Sequence, residues 1–398
     1  MNTHEYDVVI IGGGIAGFIA ALTLVDAGYN TAVISRGDPV CCLSTGCIDV
    51  LLHAQNPLNA IKELPEDHPY RLVGKKGIKD ALSFFIEIMK KTTIPYRGDP
   101  KTNREILTPV GTFKKTCLVP ETMAHTLGDN EDPIHMISFK GLKDFYPSYI
   151  TSRISNTSFS VFDAQSVSTI GIAGRFEDRD FLNNFISWAQ DLDIPYGKVA
   201  LPAVLGLNKP MEIMEELSSQ INKEVFEIPT LPPSIPGMRL FRALKSALQI
   251  RGGHVYWGKT VSSVERQGSR IEAVTLATSG RPSRVYGKAF ILATGSFVSG
   301  GLFASRDSVQ ETVFDLPVFV PGKRKSWFNN DFFTPGHAIE KAGILIDSSF
   351  RPKDSSLENL FICGSIIAHS DIMKNQCGHG LAIATGAHAA KKCIKELS

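Results

Sequence analysis

Neither sign of charge dominates this chain of 398 residues. Its 42 lysine and arginine residues nearly balance its 40 aspartate and glutamate residues, and the formal net charge is +2. A charge this small excludes a broad basic field of the kind that holds nucleic acid or an anionic membrane through many contacts. We therefore expect no nucleic-acid partner.

Cysteine is also scarce. Seven cysteines at irregular spacing are an odd number for so long a chain, which excludes a disulfide framework of the secreted type. We expect free thiols in a reducing compartment.

The chain has no long uninterrupted hydrophobic run. The stretch from Val8 to Val25 carries no charge, but three glycines interrupt it, and Glu5 and Asp7 precede it where a signal peptide would have basic residues. Hydrophobic residues make up 43% of the chain, which is typical of folded globular proteins. These features predict a soluble protein.

What is present begins with a strand, a turn and a helix at the N-terminus. Residues 7–11 are apolar and β-branched, 15–27 have helical spacing, and 30–35 read as a second strand. Between the first strand and the helix lies Gly12-x-Gly14-x-x-Gly17, the context in which a glycine fingerprint binds a dinucleotide phosphate.

One part of that fingerprint is missing. An acidic residue normally ends the second strand and holds the adenosine ribose, but this chain has Ser35 and Arg36 there. FMN has no adenosine and needs no such acid, so we expect FMN, with FAD as the alternative. Arg36 is a candidate phosphate contact or a surface residue.

Further glycine-containing turns follow later apolar strands. They match in position the second and third signatures of flavin folds, and the final helix begins with glycines whose amides would stabilise negative charge on a flavin. The candidate cofactor-binding residues in these turns are Thr294, Gly295, Gly364, Ser365, Gly378 and Gly380.

A small-residue loop after the second strand adds Ser44, Thr45 and Gly46 to the cofactor candidates. Cys42 and Cys47 have the C-x4-C spacing of a helix-borne redox dithiol, but no second nucleotide fingerprint accompanies them. His379 and Cys47 are weak catalytic candidates. The histidine and cysteine spacing does not predict a metal site.

The coarse pattern predicts a Rossmann-like two-domain α/β flavoprotein with a central parallel sheet. Residues 1–75 and 240–398 would form a split flavin-binding domain, and 76–239 an inserted α/β cap for substrate or a partner. Within these parts, periodicity predicts helices at 78–91, 178–192, 209–222 and 238–251.

Several longer motifs together resemble a known family, the B subunits of the anaerobic glycerol-3-phosphate dehydrogenase. The resemblance covers nearly the whole chain. Its motifs are IIGGGIAG (10–17), STGCID (44–49), PTLPPSIPGMR (229–239), LATGSFVSGGL (292–302) and NDFF (330–333).

The resemblance implies a flavoprotein, assigned FMN, in a complex that oxidises sn-glycerol 3-phosphate to dihydroxyacetone phosphate. Its partners would be a larger FAD-containing subunit, the A chain of the complex, together with an iron-sulfur, membrane-anchoring subunit, the C chain. Electrons would pass to quinone in anaerobic respiration, with this chain as a relay, peripheral on the cytoplasmic side of the membrane. Two alternatives stay open: a flavin-dependent thiol-disulfide oxidoreductase using Cys42 and Cys47, and a scaffold without cofactor.

Overall fold

The computed structural model describes residues 3–127, 133–194, 196–277, 282–331 and 333–398. Phe332 of the NDFF motif lies outside the described residues. Within these ranges, no helix combines the length and the apolar character needed to cross a membrane.

The strands fall into two main sheets and several short ribbons. In chain order they are β1 (Thr3–Ile11), β2 (Thr31–Ser35), β3 (Tyr96–Gly98), β4 (Arg104–Leu107), β5 (Phe113–Thr116), β6 (Leu118–Pro120), β7 (Ile134–Phe139), β8 (Thr157–Phe162), β9 (Lys198–Pro202), β10 (Glu224–Ile228), β11 (His254–Trp257), β12 (Val261–Gln267), β13 (Arg270–Leu276), β14 (Ser283–Leu292), β15 (Leu302–Ala304), β16 (Val309–Glu311) and β17 (Leu360–Ile362).

The α-helices range from a single turn to five or more turns. They are α1 (Ile15–Asp26), α2 (Pro57–Ala60), α3 (Pro69–Met89), α4 (Pro147–Thr151), α5 (Thr169–Phe176), α6 (Arg179–Gln190), α7 (Pro210–Ile221), α8 (Ile235–Ile250), α9 (Ile372–Asn375) and α10 (Gly378–Leu397). Short 3-10 helices occupy Val40–Leu43, Ile61–Glu63, Glu121–Leu127, Arg324–Ser326 and Ala338–Lys341.

The chain divides into two compact units. The first comprises residues 1–40, 49–85 and 244–398, and the second comprises 41–48 and 86–243. The domain boundaries read from the sequence, at 75/76 and 239/240, stay a prediction.

The first unit is built on a mostly parallel sheet in the order β11-β2-β1-β14-β13-β12. β1 lies between β2 and β14 and is parallel to both, and β17 is parallel to the C-terminal end of β14. Only β12 and β13 run antiparallel to their neighbours. The expected central parallel sheet is thus confirmed, with an antiparallel hairpin at one edge.

Asn359 holds the point where β14 changes partner from β13 to β17. The side-chain oxygen of this buried residue accepts from the amide of Ile271 at 2.9 Å, and its nitrogen donates to the carbonyls of Ile271 at 2.8 Å and Lys288 at 3.1 Å. A buried amide with its hydrogen bonds satisfied costs little and fixes the register.

Helices α1 and α10 approach each other closely in the first unit. A methyl group added at Gly386 of α10 would lie 2.4 Å from the carbonyl oxygen of Ala16 in α1. Small residues at this crossing let the two backbones pack against each other, which places the N-terminus of α10 relative to α1.

The second unit has its own four-stranded parallel sheet, in the order β10-β9-β7-β8. A cluster of aromatic rings packs beside it, with centroid separations of 5.1–6.1 Å among Phe139, Phe162, Phe176 and Phe185 for the closer pairs. The predicted helices at 178–192 and 209–222 are confirmed as α6 and α7, and the Asp178 side chain caps α6 by accepting from the amide of Phe181 at 2.9 Å.

A buried ion pair ties the start of α8 to β10 in the second unit. Arg239 donates to both carboxylate oxygens of Glu227, at 2.6 and 2.9 Å, and its Nε donates to the carbonyl of Gly206 at 2.8 Å. The side chains are 2% and 0% exposed, and Glu227 also accepts from the amide of Leu205 at 2.8 Å. The geometry satisfies both charges.

We expect Arg239→Met to lower the free energy of unfolding by about 3–5 kcal/mol, because it leaves the Glu227 carboxylate buried without its partner. Urea unfolding followed by circular dichroism measures this. The matched control is Arg179→Met, which breaks the surface pair with Glu216 and should leave the midpoint unchanged. Equal losses in the two variants would contradict the assignment.

Candidate functional site

The glycine-rich turns of the first unit meet at one edge of its sheet. β2, β1, β14 and β17 are parallel there, and Ile11 stands level with Ile34 and with Leu292, which stands level with Ile362. Because the carboxyl ends of parallel strands share an edge, the turns after these strands lie side by side. We call this the carboxyl edge, formed by Gly12–Gly17, Ser35–Arg36, Thr294–Gly295 and Gly364–Ser365.

Gly12 and Gly17 are required by packing. Gly12 has a φ of +122°, and a Cβ there would lie 2.2 Å from the carbonyl oxygen of Ala293. A Cβ at Gly17 would lie 1.9 Å from the carbonyl oxygen of Gly12. The first strand, its turn and α1 therefore approach more closely than any side chain permits.

Gly14 differs from them, because a Cβ there would meet nothing within 4 Å. It is the N-cap of α1, no side chain caps the helix, and its first turn contains no acidic residue. The helix presents backbone amides and positive dipole charge at an open position. This arrangement fits a flavin phosphate.

The turns after β14 and β17 are joined to each other. The Ser365 hydroxyl accepts from the amide of Ser296 at 3.2 Å, and the amide of Gly364 donates to Thr385 of α10 at 2.9 Å. The hydroxyl oxygen of Thr294 is buried and has no hydrogen-bond partner among the described residues. An orphaned hydroxyl at the carboxyl edge also fits a polar ligand.

The end of β2 has a different arrangement from the usual ribose acid. Ser35 is buried and its hydroxyl donates to the carbonyl of Gly37 at 3.0 Å. Arg36 reaches across and donates to the carbonyl of Ser299 at 3.0 Å. The guanidinium thus links β2 to the loop after β14, and its contact with a phosphate stays a prediction.

The N-terminus of α10 is held against two other segments of the first unit. The amide of Gly380 donates to the carbonyl of Asp49 at 3.1 Å, and a Cβ on Gly380 would lie 2.6 Å from the hydroxyl of Tyr70. Cys377 is the N-cap, with no side-chain cap, and the first turn carries no acid. The flavin contacts predicted for Gly378 and Gly380 remain predictions.

The side chains beside this helix end are electrically neutral where burial decides. Burial raises the pKa of the Cys377 thiol, so the thiol keeps its proton near neutral pH. His379 in the first turn is partly exposed, and its role in proton transfer is untested.

His68 and Tyr70 were not singled out from the sequence. The amide of Tyr70 donates to Nδ1 of His68 at 3.1 Å, so Nε2 carries the hydrogen and donates to the carbonyl of Ser370 at 3.1 Å. His68 therefore connects α3 to the loop before α10. Its partner is 302 positions away, and no local pattern signals that pairing.

Ser44, Thr45 and Gly46 belong to the second unit. The Ser44 hydroxyl donates to the carbonyl of Cys41 at 2.7 Å, and Tyr96 donates to the carbonyl of Gly46 at 2.6 Å. Lys114 lies 3.5 Å from the Thr45 hydroxyl. Their predicted contact with a flavin stays a prediction.

The expectation that Cys42 and Cys47 lie on one helix is wrong. Cys42 lies in the 3-10 helix Val40–Leu43, and Cys47 follows it in an extended segment with Gly46 at a φ of +75° between them. The chain turns there because Gly46 packs against Pro236, where a Cβ would lie 2.9 Å from the proline. The two cysteines are 7% and 1% exposed and form no disulfide.

Comparison with known proteins agrees with this geometry. The model of the FAD-binding domain family matches residues 7–177 and 184–381. The B subunit of the anaerobic glycerol-3-phosphate dehydrogenase of Aliivibrio fischeri is 30% identical over 99% of this chain and 96% of its own length. The chain belongs to the FAD-binding domain family and, within it, to the group of these B subunits.

Other members of the group are equally extensive. The B subunit of Vibrio vulnificus strain YJ016 is 27% identical over 98% of this chain and 96% of its own. A probable B subunit of Halobacterium salinarum strain R1 is 28% identical over 96% of each. Among solved structures, a 3-ketosteroid Δ1-dehydrogenase of Sterolibacterium denitrificans covers 99% of the chain with a TM-score of 0.47 and 12% identity. The family assignment rests on the sequence matches.

Membership confirms the Rossmann-like α/β flavoprotein fold and a flavin as the cofactor class. The family description names FAD and does not support the choice of FMN.

The three fingerprint glycines should separate binding from folding. We expect Gly14→Ala to leave the melting temperature of the apoprotein unchanged and to weaken flavin affinity about tenfold or more, because the methyl group enters the open phosphate position. Gly12→Ala should lower both, since its methyl group would overlap the Ala293 carbonyl. Thermal unfolding and flavin fluorescence titration measure these effects.

Gly197→Ala in the second unit is the matched control, because a Cβ there also meets nothing within 4 Å and it lies away from the carboxyl edge in sequence. It should change neither quantity. Normal flavin affinity in Gly14→Ala would show that Gly14 does not face the phosphate.

Acidification should loosen the contact between α3 and the loop before α10. Burial is the main cause that lowers the pKa of His68 to about 4, from an ordinary value of 6.5. The unfolded chain takes up a proton below pH 6.5 while the folded chain does not, so the free energy of unfolding falls as the pH drops from about 6.5 to 4. This histidine contributes at most about 3 kcal/mol over that window.

Urea unfolding between pH 7 and 4.5 tests this. His68→Gln should be less stable at pH 7 and should lose stability less steeply on acidification. His388, whose pKa burial also lowers to about 4, keeps part of the slope. A slope unchanged by His68→Gln would contradict the assignment.

Proposed function

We propose that this chain is the flavin-binding B subunit of a respiratory glycerol-3-phosphate dehydrogenase. The complex would oxidise sn-glycerol 3-phosphate to dihydroxyacetone phosphate and transfer the electrons to quinone. The observation that carries the proposal is the match at 27–30% identity to proteins of that name over 96–99% of this chain and 96% of theirs. A match of that extent includes both units.

The carboxyl edge supports the flavin part of the proposal. Gly14 and the first amides of α1 would bind the phosphate, and the hydroxyls of Thr294 and Ser365 would hydrogen-bond polar flavin atoms. The α10 N-terminus would lie at the pyrimidine end and stabilise negative charge there. A bound flavin supplies acceptance of two electrons from the alcohol carbon.

We propose FAD as the cofactor, following the family description, with FMN as the alternative that the missing acid at Ser35 favours. Under the FAD hypothesis the adenosine ribose is held without a carboxylate at the end of β2. Backbone groups near the Ser35 hydroxyl and the Arg36 guanidinium would then replace it.

The name of the relatives implies assembly with other subunits. We propose two partners, a larger FAD-containing subunit with an iron-sulfur subunit that anchors the complex to the membrane. This chain would be the electron relay on the cytoplasmic side of the membrane. Substrate oxidation would then take place on the larger FAD-containing subunit.

Two measurements on the purified chain test this. Its absorption spectrum and the mass of the flavin released on denaturation identify the cofactor. Anaerobic addition of sn-glycerol 3-phosphate, with sn-glycerol 1-phosphate as the matched control, then shows whether the flavin band near 450 nm bleaches.

Bleaching only after a trace of the larger FAD-containing partner is added would support the relay role, whereas bleaching without it would place substrate oxidation on this chain. A flavin that no partner and no sn-glycerol 3-phosphate reduces would overturn the dehydrogenase proposal. A charge-transfer band that Cys47→Ala abolishes would favour the thiol-disulfide alternative. A colourless chain that resists reconstitution would favour the scaffold.

A further inference from the structure

The first unit contains a second cavity-forming region, next to a break in α3. The cavity has a volume of about 460 Å³ and is lined by Lys62, Arg71 and Lys75, by Asn59, and by the backbone of Gly74. Volumes of roughly 300–1,000 Å³ are usual for small-molecule sites. We call it the basic cavity.

A glycine opens the cavity by breaking the helix. Gly74 has φ and ψ angles of 72° and 159°, so α3 consists of two helical segments separated at this residue. A Cβ at Gly74 would meet nothing within 4 Å. The second segment, residues 75–89, therefore begins at the cavity with its first amides and its positive dipole end.

Two of the cationic side chains are anchored by neutral oxygen atoms. Arg71 donates from Nη1 to the carbonyl of Lys62 at 2.8 Å, and Lys75 donates from Nζ to the side-chain oxygen of Asn59 at 2.5 Å. Neither these two nor Lys62 forms an ion pair with a carboxylate in the described part of the chain. Their charges are available to a ligand.

The lining has no opposing charge. No acidic residue lines the cavity in the described part of the chain, and Leu58 and Ile61 contribute its apolar part as buried side chains. Three positive charges held together without a carboxylate repel one another, and an anion relieves that repulsion. Arginine with its planar donors and lysine as a point charge are the side chains that recognise phosphate.

We propose that the basic cavity binds a phosphate group, carried by a small organic phosphate or by a lipid headgroup whose carbon part contacts Leu58 and Ile61. This site is separate from the phosphate position at Gly14 and does not depend on the proposed dehydrogenase function. The recognition differs too, because side-chain cations dominate here and backbone amides dominate at Gly14.

Calorimetric titration of the flavin-saturated protein with inorganic phosphate at low ionic strength tests the proposal, since the flavin already fills the carboxyl edge. We expect saturable binding. Arg71→Ala/Lys75→Ala should weaken it about tenfold or more, because charge-assisted hydrogen bonds are lost.

The matched control is Lys76→Ala/Lys79→Ala. It removes two charges from the same helix, and neither residue lines the cavity. Phosphate affinity should stay within about twofold of the parent, because exposed charges outside the site are screened. Circular dichroism melts check that both double variants fold.

Co-sedimentation with phosphatidylcholine vesicles containing phosphatidic acid distinguishes the two sources. Binding that Arg71→Ala/Lys75→Ala abolishes and the control retains would support the headgroup, and phosphate binding without vesicle binding would support a free organic phosphate. The absence of both, or equal losses in the two double variants, would overturn the proposal.

Discussion

The close approach of Gly12 to the residue after β14 is the contact on which the rest of the carboxyl edge depends. The Gly12 amide donates to the carbonyl of Ile34 at 2.9 Å, and the amide of Ala293 donates to the carbonyl of Ile11 at 2.7 Å. These bonds bring three strand ends together where no side chain fits. With Gly17 against the Gly12 carbonyl, the start of α1 has only one position, and its amides face the opening at Gly14.

The helices add a second level of constraint. α1 and α10 touch through Gly386 and Ala16, so the N-terminus of α10 is positioned by a contact two turns along that helix. Residues 369–376 reach it through left-handed conformations at His369, Asp371 and Gln376. Such conformations cost energy, and the His68 bond to Ser370 helps hold the loop in place.

The two phosphate positions argued for the first unit use opposite physics. At Gly14 the protein provides dipoles and no nearby cation in the first turn, which suits a permanently bound cofactor held by shape. The basic cavity provides cations on long side chains, and such contacts weaken with ionic strength and suit an exchangeable ligand.

The sequence by itself determined the elements whose signals are local. Glycine spacing and apolar periodicity placed β1, α1 and β2, the helices α6 and α7, and the family motifs, because each depends on neighbours within a few residues. The helix predicted at 78–91 was only the second part of α3, since the first part, from Pro69, precedes a glycine that normally ends a helix. Likewise α8 begins at Ile235, before Pro236, where proline density had predicted irregular structure.

Only the tertiary structure decided which of these residues meet. It brought Thr294, Ser365 and Gly14 to one edge, paired Glu227 with Arg239, and joined His68 to a carbonyl 302 positions away. It also showed that Cys42 and Cys47 do not share a helix. These contacts follow from strand register and helix crossing, which hydrophobic burial and hydrogen-bond satisfaction fix across the whole fold, and no window of sequence contains that information.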